Sequence, residues 1–354
     1  MTLPDPAFWS GKRVLLTGHT GFKGSWCALW LSRLQASVTG FALAPESDPA
    51  LYKLAGIDGL TTSIIGDIRD AAAVSNAVKA ANPHIVIHMA AQALVRRSIA
   101  DPVATFATNV QGTVNLLDAL RSSVGLQGVL VVTSDKVYGT HDNVRAFVET
   151  DPLGGTDAYS ASKAACDIAT RAYALSYFSA AGVSVAAARG GNVIGGGDFA
   201  EGRLIPDVIR AVQSGSRLAL RHPQATRPWQ HVLDCVGGYL AYAEALARGR
   251  AVSPALNFGP DRAGATVAQL ADAMFKALNK QPNWDYRPEG DSIEREALAI
   301  NASRARAELG WRPRLADEDA VRWTADWYRA FADKKNLCDV TTTQIAAYSE
   351  MGVS

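Results

Sequence analysis

The segment Arg13 to Gly24, RVLLTGHTGFKG, constrains this chain more than any other. A short apolar run ends at Thr17, glycines follow at 18, 21 and 24, and an apolar helical pattern continues through Leu34. Strand, tight loop and helix in that order open a βαβ unit. GxxGxxG in that setting predicts a dinucleotide loop. Gly18 permits the turn, Gly21 lets the backbone approach a pyrophosphate, and Gly24 lets the helix pack on the strand, while Thr20 and Phe22 complete the loop. The helix N-terminus then offers its N–H groups to the anion. Lys23 either adds charge near phosphate or is a solvated first-turn lysine. A glycine-rich turn without a ligand is the plain alternative, and the flanking strand and helix argue against it.

The alternation continues. Apolar runs near 37–43, 61–66, 84–88, 128–133 and 183–188 read as strands, separated by helical patterns near 70–81, 101–121 and 158–181. Near-continuous apolar strands interleaved with helices predict an α/β fold, a Rossmann-type doubly wound parallel sheet covered on both faces. Ligands of such sheets bind beyond the carboxyl ends of the strands. After Arg189 the pattern breaks into shorter strands and helices. Residues 1–189 are therefore expected to form the dinucleotide domain and 190–354 mainly a smaller C-terminal α/β substrate-binding lobe, with 231–260 returning to the first. Glycines concentrate at 18–24, 154–155 and 190–197, which makes those segments candidate ligand loops.

Bulk properties remove other classes. Lys plus Arg total 35 against 34 for Asp plus Glu, a net of +1, so no field draws nucleic acid or acidic membranes. Cys27, Cys166, Cys235 and Cys338 are widely spaced, which argues against a metal site or a disulfide framework and fits a reducing cytoplasm. No stretch approaches the ~20 apolar residues of a membrane helix, and the start has no signal-like apolar region.

The end of the second strand, VTGFALAPESDP, carries Ala42 and Ala44 where a carboxylate would receive the adenine ribose, and Glu46 and Asp48 come late. No arginine there welcomes a 2′-phosphate, so NAD is favoured over NADP. Asp67 and Ile68 could flank adenine, or Asp67 could simply close a turn. Ala90, Ala91 and Gln92 are small enough to let a cofactor lie close, and would also serve as packing.

Tyr159 and Lys163 in YSASK share one helix face. A phenol with an ordinary pKa of ~10 becomes a usable base if a nearby ammonium and an oxidised nicotinamide favour its phenolate. An amphipathic helix that merely carries Tyr and Lys is the alternative. Thr133, Ser134, Asp135 and Lys136 follow the apolar run VLVV at the end where the sheet keeps its site. Adjacent residues on a regular strand point oppositely, so Asp135 and Lys136 reach one substrate only if the chain turns irregularly. If it does, Asp135 could protonate a departing hydroxyl and Lys136 could remove a carbon-bound proton. Otherwise they are a polar turn.

Together GHTGFKG, GDIRD, HMAAQ, TSDKVY, YSASK, RGGNVIGGGD, RLIPD and RPWQHV resemble the extended short-chain dehydrogenases and, within them, the CDP-glucose 4,6-dehydratases, over about Phe8 to Trp311. GxxGxxG and YxxxK mark the superfamily. SDK, GGNVIGGGD and RPWQHV discriminate further, since dTDP-glucose dehydratases carry Glu where Lys136 sits. The resemblance implies NAD as cofactor and a nucleotide sugar, CDP-glucose, as substrate. Tyr159 would take the C4 hydroxyl proton as hydride leaves C4, Lys136 the C5 proton, and Asp135 would protonate the C6 hydroxyl as water leaves. Hydride would return to C6. Ser134 would hold the C4 oxygen, and Lys163 would orient the cofactor ribose and depress the Tyr159 pKa.

The resemblance also implies that Asn192 and Arg227 contact the diphosphate, with Arg203, Leu204 and Ile205 near sugar or base. His231 would help to position phosphate, unless it caps a helix. Around Glu294 to Ala299 the chain departs from the family's histidine and bulky aromatic, and Glu296 would repel a diphosphate unless Arg295 or Arg227 offset it. A homodimer through the helices near 101–121 and 158–181 is implied as well. A nucleotide-sugar 4-epimerase would share Tyr159 and Lys163 but has no need of Asp135 beside Lys136. A non-catalytic dinucleotide sensor would be expected to lose Tyr159 or Lys163.

Overall fold

The computed structural model describes residues 3–139, 145–260, 264–288 and 298–351. Its framework is a seven-stranded sheet: β1 (Arg13–Thr17), β2 (Ser37–Ala42), β3 (Thr62–Ile65), β4 (Ile85–His88), β5 (Gly128–Val132), β6 (Ser184–Gly190) and β7 (Ala255–Phe258). The spatial order is β7-β6-β5-β4-β1-β2-β3, and every pairing is parallel. This is the doubly wound sheet that the apolar runs predict.

Alternation along the strands explains how both faces are covered. Val14, Leu16, Ile85, Ile87, Leu130, Val132, Ala186 and Ala188 enter one core with the helices Phe22–Arg33 and Val232–Ala247. Leu15, Val86, Val129, Val131 and Val185 enter a second core with Ala71–Ala81 and Gly112–Leu120. Strand order reverses between β1 and β4, so a crevice opens beyond their carboxyl ends. There Thr17 pairs with His88 in register, and its hydroxyl meets the imidazole Nδ1 at 2.6 Å.

The helical pattern near 101–121 forms three segments, Pro102–Phe106, a π-turn over Ala107–Gln111, and Gly112–Leu120. Such bulges commonly serve to aim a side chain. Here Asn109 donates to the Gln92 carbonyl at 3.1 Å and to Ser162 Oγ at 2.9 Å, tying the loop after β4 to the helix Ala158–Tyr173. That helix begins on a capping box between Asp157 and Ser160, which fixes the position of Tyr159 in its first turn.

Between β6 and β7 the chain leaves the sheet. Short pairings of 193–194 with 230–231, 226–227 with 265–266 and 218–220 with 284–286 build the wall opposite the sheet. Two glycines of 190–197 are also required by packing. A Cβ at Gly196 would fall 1.9 Å from Trp327, and one at Gly190 would fall 2.0 Å from the Tyr239 hydroxyl. The last helix, Leu337–Glu350, lies against Phe22–Arg33, with the Trp30 and Tyr348 rings edge to face at 5.6 Å. Among the described residues no helix is long and apolar enough to cross a membrane.

Candidate active site

The loop after β1 has the backbone that its glycines predict. Gly18 adopts φ +78°, and a Cβ there would lie 2.8 Å from the Ala90 nitrogen. A Cβ on Gly24 would meet the Gly18 carbonyl oxygen at 2.0 Å. Gly21 differs, since a Cβ would make only an ordinary 3.4 Å contact. Gly21 caps the helix Phe22–Arg33 without a side-chain hydrogen bond, so the first-turn N–H groups retain the capacity to bind an anion. This loop fits the diphosphate of a dinucleotide.

Other cofactor candidates are held as follows. Thr20 Oγ1 donates to the Leu43 carbonyl at 2.9 Å. The amides of Met89 and Ala90 both donate to Thr17 Oγ1 at 3.1 Å, which draws the start of the Ala90–Ala91–Gln92 loop against β1. Gln92 is committed to the protein: its Nε2 donates to Thr105, its Oε1 accepts from the Leu94 amide, and its own amide donates to Asn109. Asp67 is gripped by Arg69, whose hydrogen bonds hold the carboxyl below its ordinary range, and Ile68 is buried against Gly112. Glu46 is paired with Arg97 at 2.8 Å. Lys23 and Phe22 line a cleft beyond the strand ends, and the Lys23 ammonium sits 5.8 Å from the centre of the Tyr239 ring.

The irregular turn that Asp135 and Lys136 require is present. Ser134 is extended (φ −157°, ψ 157°) and caps a 3-10 turn over Asp135–Val137, its Oγ accepting from the Lys136 amide at 3.2 Å. Thr133, Ser134, Asp135, Lys136 and Tyr159 consequently line one cleft of about 900 Å³. Ser134 Oγ donates to Asp135 Oδ1 at 3.1 Å, whereas Oδ2 is buried with no hydrogen-bond partner among the described residues. Burial pushes the Asp135 pKa up, opposed chiefly by Lys136. A carboxyl whose pKa is raised beside a cleft is better suited to act as an acid than an ordinary one.

Tyr159 hydrogen-bonds with Ser134, but burial pushes its pKa up to about 12. In the chain alone burial outweighs the groups that favour the phenolate. Lys163 does not line the cleft; its Nζ donates to the Val132 carbonyl at 3.1 Å, and burial lowers it to about 8.

On the opposite wall, Asn192, Arg203, Leu204, Ile205 and Arg227 all line the cleft. Arg203 precedes the helix Leu204–Ser214 and pairs with Asp198 at 2.9 Å, and its charge acts on Tyr159. Arg227 is buried, donates to the Thr226 carbonyl at 3.0 Å, and favours ionisation of Asp135. His231 is not part of this surface. It caps the helix Val232–Ala247, Nδ1 accepting from the Leu233 amide at 3.2 Å, with its ring between Trp26 and Trp323. Burial lowers it to about 3, so it is a neutral packing residue rather than a phosphate ligand. Glu294 to Ala297 lie outside the described residues, while Leu298 is buried and Ala299 accepts from the Phe147 amide.

Arg96, Arg221 and Trp229 line the same cleft and were not among the sequence candidates. The doubled arginine directly after the AAQALV loop was the available signal for Arg96. Trp229 lies within the RPWQHV motif, whereas nothing local marked Arg221, which the excursion between β6 and β7 brings in.

A sequence profile of the GDP-mannose 4,6 dehydratase family matches residues 15–324. The chain is 39% identical over 351 residues to the CDP-glucose 4,6-dehydratase of Salmonella typhimurium, covering 97% of this chain and 98% of that protein. Among solved structures it is similar to a double mutant of the dTDP-glucose 4,6-dehydratase of Streptomyces venezuelae with NAD bound. That match has a TM-score of 0.77 at 27% identity, over 92% of this chain and 99% of the other. It is also similar to the UDP-glucose 4-epimerase of Thermus thermophilus in complex with NAD, with a TM-score of 0.77 at 26% identity, over 90% of this chain and 99% of the other.

Proposed function

The chain belongs to the GDP-mannose 4,6 dehydratase family, and from that premise we propose that it is an NAD-dependent hydro-lyase that converts CDP-D-glucose to CDP-4-keto-6-deoxyglucose and water. The observation that carries this reading is the 3-10 turn after β5, which sets Lys136 and a buried Asp135, its pKa raised by that burial, in one cleft with Tyr159. An alcohol oxidation needs only Tyr159 and Lys163. The added acid and amine serve a second bond cleavage.

Gly18, Thr20, Gly21 and Gly24 would hold the cofactor diphosphate at the uncapped helix start, with Lys163 at its ribose. Bound NAD supplies an acceptor for hydride from C4 and the hydride that is later returned to C6. Tyr159 takes the C4 hydroxyl proton while Ser134 holds that oxygen. The 4-ketone makes C5–H acidic, Lys136 removes that proton, Asp135 protonates the C6 hydroxyl as the C6–O bond breaks, and a proton is returned to C5 as hydride reaches C6. Asn192 and Arg227 bind the nucleotide diphosphate, an arginine fork being suited to its oxygens, and Arg203, Leu204 and Ile205 flank the sugar or base.

In this reading residues 1–189 and 231–260 carry the cofactor and most of the remainder shapes the nucleotide-sugar wall, which β7's place in the main sheet supports. The cysteines among the described residues are unpaired, in keeping with a reducing cytoplasm. A homodimer is supported by exposed Val103, Phe106, Ile168, Leu175 and Tyr177 on the Pro102–Phe106 and Ala158–Phe178 helices. A light-scattering mass near 37.5 kDa at micromolar concentration would exclude it.

The test is incubation with CDP-, dTDP-, UDP- and GDP-glucose in D₂O, with products read by mass spectrometry and NMR. A 4-keto-6-deoxy product carrying deuterium at C5, formed fastest from the CDP-sugar, is expected. A hexose inverted at C4 would establish a 4-epimerase instead.

A further inference from the structure

Thr133 and Tyr138 bracket the turn that carries Asp135 and Lys136, and both end on the same buried ion pair. Arg189 grips Asp167 with two parallel bonds, Nε to Oδ2 and Nη2 to Oδ1, each 2.8 Å. Both side chains are buried, 5% and 6% exposed. At one end of the turn, Thr133 Oγ1 donates to Asp167 Oδ2 at 3.2 Å. At the other, Arg189 Nη1 donates to the Tyr138 hydroxyl at 3.0 Å and to the Glu149 carbonyl at 3.0 Å. Tyr138 passes the connection on to Asn257 of β7, the in-register neighbour of Arg189.

The two partners belong to different parts of the chemistry. Asp167 lies on the helix Ala158–Tyr173, which carries Tyr159 and Lys163, and Arg189 closes β6 beside the turn. A buried ion pair is weak evidence for stability, since apolar residues of the same volume often serve as well. What a bidentate arginine fork supplies is orientation. We propose that the Asp167–Arg189 pair is a positioning clamp that sets the Asp135–Lys136 turn in register with Tyr159, so that the oxidising group and the eliminating groups face one sugar. Only the naming of those two steps rests on the proposed activity.

Tyr138→Phe removes one arm of the clamp and keeps the ring, and Arg189→Lys keeps the charge and loses the fork. In the full-length protein, thermal melting of Tyr138→Phe should stay close to that of the parent. Amide exchange at Lys136 and Val137, followed by mass spectrometry, should rise by about tenfold or more, with β1 unchanged. With CDP-glucose, KM and the single-turnover appearance of reduced cofactor should be little altered. Deuterium entry at C5 should fall by about ten- to a hundredfold, because small misplacements of reacting groups carry costs of that order. Arg189→Lys should reproduce this split rather than restore the parent behaviour. Unchanged exchange in both variants, or equal loss of oxidation and elimination, would overturn the clamp. If the parent protein turns over no nucleotide sugar, the proposed activity fails, and the exchange measurement still decides the clamp.

Discussion

Lys163 Nζ donates to the carbonyl oxygen of Val132, 3.1 Å away, on the strand that delivers Ser134 to the cleft. The helix bearing Tyr159 is thereby joined to the strand that leads to Ser134 through the lysine itself. Since burial holds Tyr159 near 12 and Lys163 near 8, proton removal by the phenol needs positive charge nearby. Lys163→Met should slow C4 oxidation by about 10²- to 10³-fold. Its unfolding free energy should change by no more than ~1 kcal/mol, because the lost hydrogen bond is offset by removal of a buried charge. Stopped-flow absorbance and denaturant melts measure the two effects, and a variant that oxidises substrate at the parent rate would remove Lys163 from the chemistry.

Asp135→Asn keeps an acceptor for Ser134 and abolishes the transferable proton. Water loss should fall by about 10²- to 10⁴-fold while reduced cofactor still appears on mixing with substrate. Lys136→Ala should show the same split and also lose deuterium exchange at C5. Normal dehydration by Lys136→Ala would assign the C5 base elsewhere.

Gly21→Ala and Gly24→Ala should separate binding from folding. A Cβ at position 24 collides with backbone at 2.0 Å, and overpacking of that kind costs at least ~1–3 kcal/mol. A Cβ at position 21 meets nothing closer than 3.4 Å, so that variant should melt like the parent and lose NAD affinity. Calorimetric titration with NAD, alongside melting curves, distinguishes the pair; unaltered NAD binding by Gly21→Ala would move the diphosphate away from this loop.

These contrasts mark how far the residues spoke for themselves. The order of strands and helices was legible because apolar periodicity and the glycine loop are local signals, and SDK with YSASK pointed to a strand end and a helix that meet at one cleft. What hid was set by partners distant in sequence. Whether Asp135 and Lys136 could share a cleft depended on a 3-10 turn held by Ser134, Asp167 and Arg189. His231 became a cap between two tryptophans, and the glycines near 196 proved to accommodate Trp327. Neither fact follows from a window of neighbouring residues.

Asp234 predicts a pH dependence of stability. Its carboxyl is buried, accepts from the Arg314 and Leu315 amides and the Tyr348 hydroxyl, and is pushed up to about 6 because desolvation outweighs those bonds. A folded pKa above the unfolded one gives stability that is complete below the unfolded value, near ~3.9, and is lost as pH rises through about 6. Asp234→Asn carries no such dependence. Its unfolding free energy relative to the parent should therefore improve by on the order of 2–3 kcal/mol from about pH 4 to about pH 8. Urea melts at the two pH values test this, and parallel behaviour of the two proteins would refute it.

The contact between Trp30 and Tyr348 has a temporal consequence. Synthesis runs from the amino end at about 5–20 residues per second, so the helix bearing the cofactor loop emerges long before the segment that covers its outer face. Until Tyr348 emerges, Trp30 lacks the ring that meets it edge to face in the finished fold.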